Sequence, residues 1–185
     1  MPLLSVVFGR ANDAFRLVDA KISRLEIDAP ADRYVTATVT FMGRYIETYT
    51  KPTLPPIPTQ VFTSKEGTFS YGEVASARIR IDNRLDPRHT IKPTPSQRVV
   101  DYLAEMTTEI TGEAEVFWTP ELANLHNNTL PEVTINLNFT DWATSTQTMQ
   151  VTISNAKLRE VSLDIPSERE ITGRIEFVAV SFSIV

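Results

Sequence analysis

Two histidines, His89 and His126, are the chain's whole supply of imidazole, and cysteine is absent. Neither histidine stands beside a second His or a spaced carboxylate in a metal-ligand pattern. Without thiols, disulfides, thiolate metal sites and cysteine nucleophiles are excluded. Carboxylate pairs are the next candidates. Glu113/Glu115 and Glu168/Glu170 are each two apart, and two acids flanking a sugar bond can hydrolyse it. Residues two apart on a strand share a face, however, and such pairs are ordinarily solvated. The stretch "DNRLD" (82–86) lacks the alternating ligands, central Gly and terminal Glu of a calcium loop, so Asp82 and Asn83 read as turn formers. With six glycines in all, there is no phosphate-cradling loop, dinucleotide fingerprint or nucleophile elbow. No catalytic group, metal or cofactor is expected. Trp118, Trp142 and Tyr71 have the right types to stack on a sugar, but such aromatics more often anchor cores and interfaces.

The elements that would position any of these residues are strands. In "RYVTATVTF", Val35, Ala37, Val39 and Phe41 share one face, and Thr36, Thr38 and Thr40 the other. "SARIRIDNRL" sets Ile79 and Ile81 against Arg78 and Arg80. "EITGEAEVFW" sets Ile110, Ala114 and Val116 against Thr111, Glu113 and Glu115. "EVTINLNFTDW" puts Val133, Ile135, Leu137 and Phe139 on one side, and "TMQVTISNAKLREVSL" and "ITGRIEFVAVSFSIV" complete the set. One apolar and one polar face per strand implies half-buried antiparallel sheets, hence a sandwich or barrel.

Helix signals are few. "TPELANLHN" (119–127) has Thr119 as N-cap, Pro120 at the first helical position and Leu122 and Leu125 on one face, which predicts one short helix. "SQRVVDYLAEM" (96–106) is open between a helical turn and an irregular connection, and "NDAFRLVDA" (12–20) is a weaker helical candidate. The segment 48–63 carries Pro52, Pro55, Pro56 and Pro58, and predicts an extended loop or arm.

The chain also repeats itself. "AKISRLEIDAPADRYVTATVTF" (20–41) overlies "AKLREVSLDIPSEREITGRIEF" (156–177) without a gap. Ala20/Ala156, Lys21/Lys157, Asp28/Asp164, Pro30/Pro166, Arg33/Arg169, Thr36/Thr172 and Phe41/Phe177 are identical. Chance would supply about one or two such matches. A partial third copy pairs "SARIRIDNRLD" (76–86) with "ITGEAEVF" (110–117), so three strand pairs of similar pattern are expected within one pseudo-symmetric sandwich.

At 185 residues the chain is of single-domain size, with 42% hydrophobic and 22% charged residues, as in ordinary globular proteins. Its net charge of −5 provides no basic footprint for gripping nucleic acid. The N-terminal "MPLLSVVFGRANDAF" has an apolar run too short to span a bilayer, with no basic region ahead of it and no cleavage signature. An intracellular or particle-borne protein without a membrane partner is expected. The glycan-acceptor tripeptides at Asn127 and Asn138 are then chance matches.

With no catalytic constellation, assembly becomes the default function, and here the sequence resembles the tail tube (major tail) proteins of long-tailed bacteriophages and of gene transfer agent-like particles. "ASARIRIDNRLDPR" resembles the family's central strand and its Asn-containing turn. "EITGEAEVFWTPELANL" is similar to its strand and short acidic helix, and "TMQVTISNAKLREVSLDIPSEREITGRIEFVAV" to its C-terminal strand pair. "AKISRLEIDAPADRYVTATVTFMGRY" resembles the opening hairpin. The Pro-rich stretch is longer than the family pattern. The resemblance implies a single mainly-β domain over 1–185, an antiparallel sandwich or barrel with one short helix outside and a long Pro-rich loop. It also implies that six copies form a ring, that rings stack into the tail tube of the virion, and that DNA passes along the lumen on ejection. Partners would be further copies and the tape-measure, tail-terminator and baseplate proteins, with the host cytoplasm as the place before assembly. Polar strand faces would then line the lumen: Thr36, Thr38, Thr40, Thr111, Glu113, Glu115, Thr172 and Glu176, which offer phosphate little attraction. A sugar- or receptor-binding sandwich and a small Asp/Glu hydrolase are the competing readings.

Overall fold

The computed structural model describes residues 2–10, 13–31, 33–50, 53, 61–69, 72–89, 100–119, 132–141, 148–164 and 172–185. Among them the regular elements are all strands: β1 (Leu4–Arg10), β2 (Asp13–Ala29), β3 (Thr36–Met42), β4 (Tyr45–Tyr49), β5 (Phe62–Phe69), β6 (Gly72–Asp82) and β7 (Leu85–His89). There follow β8 (Val100–Glu105), β9 (Glu109–Phe117), β10 (Glu132–Asp141), β11 (Thr148–Asp164), β12 (Thr172–Ala179) and β13 (Ser181–Ile184). The mainly-β, antiparallel reading holds. The expected helix 119–127 lies outside the described residues beyond Thr119. So does most of the Pro-rich segment, of which Thr48 and Tyr49 end β4 and Phe62 and Thr63 begin β5.

Two stretches weighed as helical are strands instead. Residues 13–20 open β2, where β1 pairs with one edge and β4 with the other. Residues 100–105 form β8, the antiparallel partner of β7. In both, ladder hydrogen bonds to neighbouring strands satisfy the backbone and override a local helical spacing.

The chain divides into two compact units, 1–25 with 39–58 and 82–108, and 26–38 with 59–81 and 109–185. The second is a closed barrel. Its strands run β6–β5–β10–β11–β12–β9, and β9 pairs again with β6, so the six strands leave no edge in the ring. Period-two alternation fills it. Ile79, Val116, Ile135, Leu137, Phe139, Val151, Ile153, Ile175 and Phe177 are all fully buried, as the apolar faces read from the sequence require. Gly112 makes room for the largest of these side chains: a Cβ there would strike the ring of Phe177 and the carbonyl of Arg78.

In the first unit, β1 and β4 flank residues 13–20 of β2. The turn after β6 behaves as its residues dictate. The Asp82 carboxylate accepts from the Arg84 amide at 3.1 Å, closing an Asx turn in which Arg84 takes a φ of 40°. Asn83 ties that turn down, its amide donating to the Ile22 carbonyl at 2.8 Å while its side-chain oxygen accepts from Thr108 at 3.1 Å. Lys21 donates to the Leu103 carbonyl and to Glu105, fixing the β7–β8 hairpin.

The sequence repeat is a structural repeat. β4 pairs with β2 as Ala14↔Tyr49, Arg16↔Glu47 and Val18↔Tyr45. Residues 136 positions later, a spacing set by Ala20 and Ala156, pair β11 with β13 as Val151↔Ile184 and Ser154↔Ser181, with Gln150 and Val185 exchanging hydrogen bonds beyond. The preceding strands agree too. Leu4↔Ala20 and Val6↔Leu17 in β1–β2 correspond to Val133↔Ala156 and Ile135↔Ile153 in β10–β11, with the register slip at the same place. The four-strand modules β1–β4 and β10–β13 are therefore two copies of one design. The third echo also has a counterpart, since β6 pairs with β9.

One expected face is corrected. Val35, Ala37, Val39 and Phe41 do not form a buried stripe: Ala37 and Val39 are exposed, and Val35 and Phe41 half-buried. Their counterparts on β12, Gly173, Ile175 and Phe177, are buried because they line the closed barrel.

Candidate assembly surfaces

Of the residues expected to line a lumen, five come together on the outer face of the barrel. β12 pairs with β9 as Thr172↔Phe117, Arg174↔Glu115, Glu176↔Glu113 and Val178↔Thr111, so Glu113 and Glu176 lie side by side. The alternation that buries Ala114 and Ile175 turns Thr111, Glu113, Glu115, Thr172 and Glu176 outward. Thr36, Thr38 and Thr40 are exposed on β3, and the Thr40 carbonyl accepts from the Ser23 hydroxyl.

The outer face of the barrel is less acidic than its threonines and glutamates imply. Arg174 pairs with Glu113 and reaches Glu176 at 3.6 Å. Arg78, on β6, stands 3.5 Å from Glu113, 3.6 Å from Asp28 and 3.9 Å from Glu26. Ser76 donates to Glu115 at 3.4 Å. Asp28, Ser76, Arg78, Glu113, Glu115 and Arg174 line a cleft with Ser162 and Pro30. The two guanidiniums were legible as polar-face residues, but their carboxylate partners lie on other strands and no local pattern pairs them. With side chains 35–59% exposed, these pairs contribute little stability each and act mainly to neutralise the face. No group of three or more His, Asp or Glu capable of holding a metal occurs among the described residues.

The first unit presents a different surface. Beyond β2, no strand among the described residues pairs with β1 or β4, so both have an open edge. One face here carries Leu4, Val6, Phe8, Phe15, Leu17 and Ile46. Val6 faces Leu17, Leu17 faces Ile46, and the rings of Phe8 and Phe15 stand 5.9 Å apart. Phe8 is 47% exposed and Ile46 60%. The opposite face carries Arg16, which pairs with Glu47 and lies 4.9 Å over the ring of Tyr49. β13 repeats the open edge in the second unit, with Val180, Ile184 and Val185 exposed. Of these strands the sequence signalled only β13; β1 and β4 were missed and residues 12–20 read as a weak helix, because pairing is decided by strands that local patterns do not show.

A closed barrel that keeps its polar groups in mutual ion pairs, joined in one chain with strands whose edges await others, defines a structural building block. Sequence comparison specifies which. The family model for phage tail tube proteins matches residues 1–182, nearly the whole chain, and the protein belongs to that family. It is a structural component of a phage virion tail. No curated protein is similar enough to the chain to count as a match.

Proposed function

We propose that the chain, acting as one structural subunit, assembles into six-membered rings that stack as the tail tube and conduct the genome at ejection. The observation that carries this reading is the pair of open edges on β1 and β4. They lie on opposite sides of β2. Two different edges on one subunit make a head-to-tail contact, and such a contact closes into a ring when the rotation allows. Closure also removes edges that would otherwise invite uncontrolled aggregation. Rings would form in the host cytoplasm and meet tape-measure, tail-terminator and baseplate proteins at the tube's core and ends.

The polar faces of β3, β9 and β12 are the surfaces offered to DNA: Thr36, Thr38, Thr40, Thr111, Glu113, Glu115, Thr172 and Glu176. Hydroxyls and internally paired charges bind phosphate weakly, and the net charge of −5 adds no attraction. Electron microscopy of the purified protein tests the assembly. Rings or tubes with six-fold end views are expected, and a chain that stays monomeric at high concentration refutes it. Glu113→Lys with Glu115→Lys tests the lumen, with slowed genome delivery at low salt expected from tubes that still form. Unchanged delivery would place those glutamates on the outside.

A further inference from the structure

We infer that the open apolar face of the first module, centred on Phe8, Phe15 and Ile46, is a half-built core that a second copy of this chain completes. The inference rests on the tube reading and deepens it by naming the buried side of the subunit contact.

The two modules share one register, so each residue of the first has a counterpart whose surroundings are known. Leu4 corresponds to Val133, Phe8 to Leu137 and Phe15 to Val151. The first three are 37%, 47% and 37% exposed, and the counterparts 2%, 2% and 0%. Val6 and Leu17 correspond to Ile135 and Ile153, both fully buried. At these five positions the same face of the same design is thus the interior of the barrel in one copy and open in the other, while Ile46 corresponds to Phe182, half-buried on β13 beside the ring. On the opposite face the counterparts are Asn136, Gln150, Thr152, Ser154, Ser181 and Ser183, a polar exterior. In the first module that side is mixed: the Arg16–Glu47 pair stands among Val7, Ala14, Val18 and Tyr45, so only the paired charges mark it as the more polar face.

What closes the face in the second module is this chain's own strands, β5 beside β10 and β9 beside β12. The occupant that fits the open copy has that chemistry: an uncharged, β-rich apolar surface. A tube built of this chain supplies it at every subunit contact, and the face is continuous with the open edges of β1 and β4. Six contiguous apolar side chains left in water would be a liability in a soluble monomer and are expected at an interface. Arg16, Glu47 and their face are left uncovered.

The absence of cysteine allows a direct test. Ile46→Cys and Glu47→Cys put one thiol on each face at adjacent, surface-accessible positions, and each variant is treated with a maleimide before and after assembly. Ile46→Cys is expected to lose at least about tenfold in labelling rate on assembly, because thiol reactivity follows exposure. Glu47→Cys is expected to change less than about twofold on the same ground. Well-formed tubes in which Ile46→Cys still labels at the unassembled rate overturn this inference and leave the tube reading standing. Protection of Glu47→Cys in place of Ile46→Cys overturns it as well, by covering the wrong face. Protection of Ile46→Cys only in complete tails, and not in tubes of this chain alone, assigns the cover to another tail protein and also overturns it. A chain that never assembles removes both readings.

Discussion

Asp19 and Asn155 occupy the same position in two copies of one strand. Both take left-handed backbone angles, with φ of 50° and 53°, and each immediately precedes a fully buried alanine, Ala20 or Ala156. Each marks the bulge where two residues of the long strand face one of its neighbour, Val18 and Asp19 against Ser5 and Ser154 and Asn155 against Thr134. Asn and Asp are the residues other than glycine that enter this region at least cost, because their short side chains bond locally. Asn155→Val is therefore expected to cost about 1–3 kcal/mol, since a β-branched side chain is strained there. Asn155→Gly should stay within about 1 kcal/mol of the parent. Urea unfolding of the unassembled chain measures both. Equal losses from the two variants would mean that the side chain, and not the backbone angle, is what the position needs.

Gly112→Ala should destabilise by about 1–3 kcal/mol through overpacking, because the added methyl meets the Phe177 ring and the Arg78 carbonyl. Combining it with Phe177→Leu, which withdraws the ring, should recover part of the loss that the two single changes add up to. Strict additivity in the double-mutant cycle would show that the glycine is not there for the ring.

Residues at matching places in the two modules should differ in cost. Ile175→Ala removes a fully buried side chain and should lose about 2–5 kcal/mol. Val39→Ala, at the counterpart position but 40% exposed, should lose less than about 1 kcal/mol in the unassembled chain. Comparable losses, read from urea midpoints, would show that the face of β3 is covered in the free subunit.

Lys21 holds the Glu105 carboxyl below its ordinary range through a 2.7 Å charged hydrogen bond. A depressed folded-state value contributes stability that is present above the unfolded-state value and is lost as pH falls through the folded one. Glu105→Gln should therefore lower the urea midpoint slightly at pH 7 and hardly at all once the carboxyl is protonated in both states. Because Glu105 is at the surface, the effect should shrink in high salt. A difference between parent and variant that grows on acidification would reverse the assignment.

Much of this architecture is readable from residue types. Val133, Ile135, Leu137 and Phe139 alternate with polar neighbours, and the structure buries all four because period-two patterning chooses a strand's face whatever its partner. The repeat was equally legible, since Ala20/Ala156 and Asp28/Asp164 stand in register in the text itself. It was the tertiary structure that settled which copy closes. Val39 and Ile175 carry the same signal, yet one is exposed and the other buried. The difference comes from β9, which pairs with β12 and completes the barrel. The partners of Arg78 were hidden for the same reason, as Glu26, Asp28 and Glu113 reach it from strands dozens of residues away. Alternation along a strand is a local property that the chain carries in its order of side chains. Closure, and with it the cover over an apolar face, depends on contacts between segments far apart in sequence, which only folding brings together.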